Sequence, residues 1–108
     1  MNTKAKGNKA EREYERILKQ AGYITDRRRG ARNQATDYFG VADIIAINDE
    51  HVLLVQVKCN TTGGAKAMFE RFLSSHALPD CVKCVVAVRK DGRGMKKVEW
   101  RELEVVRA

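Results

Sequence analysis

The chain has 108 residues, of which 44% are hydrophobic and 32% are charged, with a net charge of +7. This length fits one domain with one hydrophobic core, and the composition excludes wholesale disorder. No apolar run approaches the roughly 18 residues of a membrane span, and the N-terminus lacks the apolar segment of a secretory signal. The odd number of cysteines argues against a disulfide framework, so we expect a cytoplasmic protein in a reducing compartment, without membrane association.

The basic charge is concentrated at the N-terminal end. Residues 1–32 contain ten Lys or Arg residues and four acidic residues, and they carry +6 of the net charge of +7. A clustered positive field of this kind is suited to a polyanion such as a nucleic acid. A solubilising surface would have the same composition, so charge alone does not decide between the two.

The first predicted element is a helix over about 8–21, preceded by a loose basic arm over 1–7. Apolar residues recur at helical spacing, Asn8 is suited to cap the helix and Gly22 to end it. Glu11 and Glu13 lie at the two edges of the apolar face, where either could reach a site between helix and sheet. Periodicity does not choose between them, and pairing with neighbouring lysines is an equally simple interpretation.

A short strand over about 23–28 is followed by a polar loop that reaches Asp37. The loop is rich in arginine, and Gly30 permits unusual backbone angles, so the segment is suited to contact phosphates. An ordinary solvated loop would look the same. Asp37 is close in sequence to the strands that follow, and we regard it as a minor candidate for a metal ligand.

Residues 41–60 form the predicted centre of the fold, two apolar strands joined by the polar turn 48–51. Symmetric pairing about this turn places Asp43 opposite Gln56, and alternation puts Lys58 on the same face as Gln56. Burying these groups is costly unless they are paired, solvated or bound to a metal. The patch is therefore a candidate for chemistry, and a buried Asp–Lys pair beside a polar Gln is the structural alternative.

The rest of the chain predicts a helix over about 65–76, a strand over 82–89 and one or two short strands over 96–106. The order is then α-β-β-β-α-β-β, and the predicted fold class is α/β, a single domain with a mixed central sheet flanked by helices. The apolar stripe of Phe69, Phe72 and Leu73 on the second helix is expected to lie in the core or, with the C-terminal strand, in a subunit interface.

The set Glu11, Asp43, Gln56 and Lys58 is suited to phosphodiester hydrolysis. Magnesium usually takes only one or two carboxylates, which Asp43 and Glu11 could supply. The amide oxygen of Gln56 and the backbone carbonyl of Val57 could fill further positions. Lys58 would orient the attacking water and stabilise the developing negative charge.

These residues resemble a known family. The spacing Asp43…Gln56-Val57-Lys58 is similar to the D…(D/E)xK signature of the PD-(D/E)XK nuclease superfamily. The opening of the archaeal-type Holliday-junction resolvases resembles the upstream stretch Lys6-Gly7-x-x-Ala10-Glu11-Arg12-Glu13, then Leu18, Gly22-Tyr23, Arg27 and Gly30. Together the two matches cover about residues 6–62.

The resemblance implies a restriction-endonuclease-like fold, a homodimer, dependence on Mg²⁺ with Mn²⁺ as a substitute, and paired symmetric nicks across a four-way DNA junction. It also selects Glu11 as the catalytic glutamate of the first helix and implies a nucleoid-associated protein. Phosphates would be gripped without sequence reading by Lys4, Lys6, Lys9, Arg27, Arg28, Arg29, Gly30 and Arg32.

Two positions depart from the family pattern. Ala42 stands where the family has a proline before the aspartate, and that proline is not a ligand. Gln56 stands where the family usually has an acid, so the site loses one negative charge. We expect an active enzyme because Glu11, Asp43 and Lys58 are retained. The alternatives are another nuclease of the same fold that acts on duplex or branched DNA, and a junction-binding module that does not cut.

Overall fold

The computed structural model describes residues 3–27, 37–92 and 97–107, with side chains from Gly7 onward. The predicted order of elements is confirmed, and the described part of the C-terminal stretch contributes a single strand. The elements are α1 (Thr3–Gln20), β1 (Ile24–Arg27), β2 (Ile44–Ile47), β3 (Val52–Cys59), α2 (Ala65–Ser75), β4 (Val82–Lys90) and β5 (Glu99–Val105).

Helix α1 begins earlier than the sequence predicts. It starts at Thr3 and not at Asn8, so the loose arm predicted for residues 1–7 is wrong from Thr3 onward. Gly7 does not interrupt the helix, because a glycine inside a helix costs only about 1 kcal/mol relative to alanine and the flanking lysines and alanines are good helix formers.

The C-terminus of α1 is where the sequence predicts it. Gly22 has a φ of 97° and its N–H donates to the Lys19 carbonyl at 3.0 Å. The N–H of Tyr23 donates to the Leu18 carbonyl at 3.0 Å. This pair of bonds around a left-handed glycine is the Schellman motif, which ends the helix and turns the chain into β1.

The five strands form one sheet in the order β1-β2-β3-β4-β5. β3 and β4 are parallel and are connected through α2, whereas every other neighbouring pair is antiparallel. In the β2–β3 hairpin, Ile45 lies opposite Leu54 and Ile47 opposite Val52. The predicted register and the mixed sheet are both confirmed.

The two helices cover opposite faces of the sheet. α1 buries its apolar face on a cluster that includes Ile44, Val55 and Ala87. α2 buries its own face on a second cluster that includes Leu54 and Val86. Because β3 and β4 are covered on both sides, the middle of each strand is buried and mainly apolar, with Gln56 as a buried polar residue in β3.

The apolar stripe of α2 lies in the core. Phe69 is 0% exposed and Leu73 is 8% exposed, both within the cluster between α2 and the sheet. The assignment of these two residues to a subunit interface is therefore wrong. Phe72 is half-buried at the margin of the same cluster.

Removing the Phe69 ring tests this assignment to the core. Phe69→Ala should lower the free energy of unfolding by about 3 to 5 kcal/mol, since it leaves a cavity in a fully packed cluster. Chemical denaturation measures this, and Leu103→Ala on the exposed side of β5 is the control, with a change of about 0.5 kcal/mol or less. A loss that varied with protein concentration would instead place Phe69 between subunits.

Candidate active site

Asp43 lies immediately before β2, between two residues that pack on opposite faces of the sheet. Ala42 packs in the cluster under α2, whereas Ile44 packs in the cluster under α1. The N–H of Asp43 donates to the Val55 carbonyl at 2.8 Å, and the Oδ2 atom of Asp43 accepts the N–H of Val57 at 3.0 Å. Two bonds to β3 therefore fix the carboxylate at the point where either helix can approach it.

Gln56 contacts Asp43 directly, as symmetric pairing predicts. Its side chain is buried, with 7% exposed. With the amide nitrogen turned towards Asp43, Gln56 donates to Oδ1 at 3.0 Å and to Oδ2 at 2.6 Å. The opposite orientation would set the amide oxygen against two acceptors. The amide therefore acts as a donor to Asp43 when no cation stands between them.

Glu11 approaches Asp43 from α1, on the other side of the sheet. Burial, with further contributions from the Asp43 and Asp37 carboxylates, raises the pKa of Glu11 to about 7, and Arg27 opposes this rise. The Nη1 atom of Arg27 is 3.9 Å from Oε1 of Glu11. The helix thus delivers a second carboxylate to the neighbourhood of Asp43.

The structure separates the helix glutamates that periodicity left open. The Oε2 and Oε1 atoms of Glu13 accept from Nε and Nη2 of Arg89 on β4, at 2.7 Å and 3.2 Å. Glu15 accepts the Thr25 hydroxyl at 2.8 Å and lies 3.5 Å from Nε of Arg27. Both residues hold α1 on the sheet, and only Glu11 faces Asp43.

The surroundings of Asp43 disfavour its charged form. Burial and, to a smaller extent, the Asp37 carboxylate raise the pKa of Asp43 to about 6. The N–H of Val57 and the Lys58 ammonium act in the opposite direction. Lys58 is therefore close enough to Asp43 to stabilise its charged form, and Asp43, Gln56 and Lys58 are gathered as predicted.

Asp37 belongs to this group more closely than its sequence position indicates. Its side chain lies within hydrogen-bonding reach of that of Asp43, and its charge raises the pKa values of both Asp43 and Glu11. From the sequence it is only a minor candidate for a metal ligand, because it lies in a loop whose path is not predictable. A signal was available in the turn-forming Gly40 between the two aspartates, but the turn geometry was not predictable from it.

The donor set fits a hard divalent cation. Carboxylates with raised pKa values are groups whose charged form needs a positive partner, and oxygen atoms are the ligands that Mg²⁺ prefers. Within the described residues, no three His, Cys, Asp or Glu side chains are drawn together closely enough to form a ready-made metal cage. Ligation by three of these carboxylates would therefore require their side chains to move closer together.

The predicted DNA-binding residues differ in their exposure, and the structure describes the side chains of only some of them. Lys9 is exposed on α1. Arg27 points inward, with its side chain 14% exposed beside Glu11 and Glu15, and its Nε is buried without a hydrogen-bond partner among the described residues. This placement contradicts a phosphate-gripping role for Arg27. The remaining candidates lie outside the described residues, either wholly or by their side chains: Lys4, Lys6, Arg28, Arg29, Gly30 and Arg32.

The described chain folds as one α/β domain, with a mixed five-stranded sheet flanked by helices and with carboxylates gathered around Asp43. A model of the archaeal Holliday junction resolvase (Hjc) family matches residues 2–106, so the chain belongs to that family. Membership identifies it as a Holliday junction resolvase, hence a nuclease that binds branched DNA.

A solved structure supports the fold. The 1.6 Å structure of Archaeoglobus fulgidus Hjc, a Holliday junction resolvase from an archaeal hyperthermophile, has a TM-score of 0.60 to this chain. It is 21% identical, over 92% of this chain and 77% of that chain. A search of curated proteins finds no significant match. None of the helices within the described residues is long and apolar enough to cross a membrane.

Burial of the Asp43 carboxylate, with a smaller contribution from Asp37, predicts a pH-dependent cost to the stability of the protein. Asp43 is protonated in both folded and unfolded chains below about pH 4, so its contribution to stability is complete there and is lost as the pH rises through about 6. Asp43→Asn should therefore raise the free energy of unfolding in EDTA at about pH 7.5 by about 1 to 2 kcal/mol, allowing for solvent screening.

Thermal and urea unfolding of both proteins across this pH range measure the difference. It should vanish near about pH 4. Asp49→Asn, in the exposed turn between β2 and β3, is the control and should show no such trend. If Asp43→Asn is less stable than the wild-type protein at neutral pH, the proposed cost of keeping Asp43 charged in this buried position is wrong.

Proposed function

We propose that the chain is a metal-dependent endodeoxyribonuclease that resolves four-way DNA junctions by paired, symmetric nicks. The observation that carries this proposal is the convergence of Glu11 from α1 on Asp43, beside Gln56 and Lys58 of β3. Membership of the resolvase family supplies the substrate, and this convergence supplies a place for the chemistry.

Four oxygen donors would hold the cation, which we propose to be Mg²⁺ with Mn²⁺ as a substitute. They are the carboxylates of Glu11 and Asp43, the amide oxygen of Gln56 and the backbone carbonyl of Val57. A divalent cation bound there makes water a better nucleophile at neutral pH and neutralises charge on the phosphate. Gln56 would rotate its amide on metal binding, exchanging the nitrogen that faces Asp43 for the oxygen.

Lys58 is the positive group of the reaction. Its charge acts on Asp43. With a scissile phosphate in place, the ammonium would orient the attacking water and stabilise the negative charge that develops on the phosphate. Lys9 and the basic residues outside the described ranges would position the DNA through its phosphates.

The enzyme would act as a homodimer, because two symmetric nicks in a two-fold junction need two equivalent sites. An apolar surface of Phe39, Phe72 and Leu78 beside a cavity of about 450 Å³ supports this. Phe39 is 71% exposed, and its ring centroid is 6.3 Å from that of Phe72. We further propose a cytoplasmic, nucleoid-associated location, which suits a DNA substrate and the three free cysteines.

A charge on this surface should separate the subunits. Phe39→Asp should shift the protein from dimer to monomer in sedimentation velocity, and aspartate also tolerates the left-handed backbone at this position. Ile24→Asp, equally exposed on β1, is the matched control and should leave the dimer intact. If both variants remain dimeric, the subunit interface lies on a different surface.

Removing the central side chains should abolish cutting without abolishing binding. Asp43→Ala and Lys58→Ala should each lower the rate of junction cleavage by about 100-fold or more, because each removes a group that acts on the reacting phosphate. Junction affinity in EDTA, measured by fluorescence anisotropy, should stay within about threefold of the wild-type value, since phosphate contacts elsewhere dominate it. Asp49→Ala and Lys66→Ala are the exposed controls.

The cleavage assay uses a synthetic four-way junction and a linear duplex, each with Mg²⁺, with Mn²⁺ and with EDTA. Symmetric nicks in the junction only, and only with metal, are expected. Equal cutting of the duplex would favour a broader nuclease of the same fold. Tight junction binding without nicks under any condition would favour a non-catalytic junction-binding module, with Gln56 as the cause.

A further inference from the structure

A tight turn places Asp37 directly beside Asp43. Tyr38 and Ala42 form an antiparallel bridge in which each N–H donates to the other's carbonyl, at 2.8 Å and 3.1 Å. The next position outward along this bridge pairs Asp37 with Asp43. The backbone groups of such a pair are not hydrogen-bonded to each other, and its facing side chains are closest. The Asp37 side chain lies within hydrogen-bonding reach of that of Asp43.

The turn is held in a conformation that a bulky residue rarely adopts. Phe39 has a φ of 53° and Gly40 has a φ of 71°. A left-handed phenylalanine costs roughly 1 to 2 kcal/mol, so the surrounding structure must maintain it. It is maintained by the bonds of the turn and by the Tyr38 hydroxyl, which donates to Asp26 on β1. Asp37 is therefore held against Asp43 by the fold.

The position of Asp37 complements the position of Gln56. Asp43 has Gln56 on the β3 side and Asp37 on the other side. Like charges directly opposite each other in a sheet destabilise it, so a cation bound between the two facing carboxylates would stabilise this arrangement. A neutral amide on one flank of Asp43 is matched by an additional acid on the other.

We propose that Asp37 is a metal ligand that restores the carboxylate missing at position 56. The inference rests on the proposed metal-dependent function. The site would then have three carboxylates, Glu11, Asp37 and Asp43, which is the number it would have with an acid at position 56 and no Asp37. Because no three such side chains among the described residues are close enough to hold an ion, these three would have to move together on binding. Retention of Gln56 follows from it, because a fourth buried carboxylate would exceed what one divalent cation and Lys58 can balance.

Metal affinity without DNA tests the assignment. Calorimetric titration of the purified protein with Mn²⁺ and with Mg²⁺ should show that Asp37→Asn raises the Kd by about tenfold or more. Asp49→Asn, outside the site, should leave it unchanged. Thermal unfolding in EDTA should show that Asp37→Asn is folded and at least as stable as the wild-type protein, because a like-charge contact has been removed.

A transplanted carboxylate makes the test specific. In the double variant D37N/Q56E the acid returns on the other side of Asp43, and the Kd should recover to within about threefold of the wild-type value. Failure of the double variant to recover, or an Asp37→Asn protein with wild-type affinity, would overturn the role of Asp37. If the wild-type protein binds neither metal and does not cut junctions in their presence, the metal-dependent function itself is wrong.

Discussion

The site depends on one constraint, a carboxylate that cannot leave a crowded and partly buried position. Asp43 is tied to β3 through its own N–H and through the N–H of Val57, at 2.8 Å and 3.0 Å. Glu11 and Asp37 approach it, and burial raises the pKa values of Asp43 and Glu11 to about 6 and about 7. A structure that concentrates unfavourable negative charge in this way stores affinity for a divalent cation.

The fold supplies this concentration from three directions. β3 provides Gln56 and Lys58, α1 provides Glu11 from the opposite side of the sheet, and the turn before β2 provides Asp37. The remaining glutamates of α1 have structural roles, since Glu13 binds Arg89 of β4 and Glu15 binds Thr25 of β1. These contacts fix the rotation of the helix and hence the position of Glu11.

The sequence predicts the pairing of Asp43 with Gln56 but not the positions of Asp37 and Arg27. Pairing of Asp43 with Gln56 follows from two apolar strands and a short polar turn, because alternation leaves one register that buries both strands. Asp37 could not be placed in the same way, since it depends on a left-handed Phe39, which no propensity favours. Arg27 lies four residues beyond Tyr23 in a basic stretch, and composition does not reveal that its guanidinium turns inward to Glu11 and Glu15.

The most direct test of the account is anomalous diffraction from crystals of the protein grown with Mn²⁺. We expect one strong peak beside Asp43, with oxygen atoms of Glu11, Asp37 and Asp43 at about 2.1 Å and the Gln56 amide oxygen turned towards the ion. A peak at a different place, or no peak while the Gln56 nitrogen still donates to Asp43, would contradict the claim that these carboxylates form a metal site.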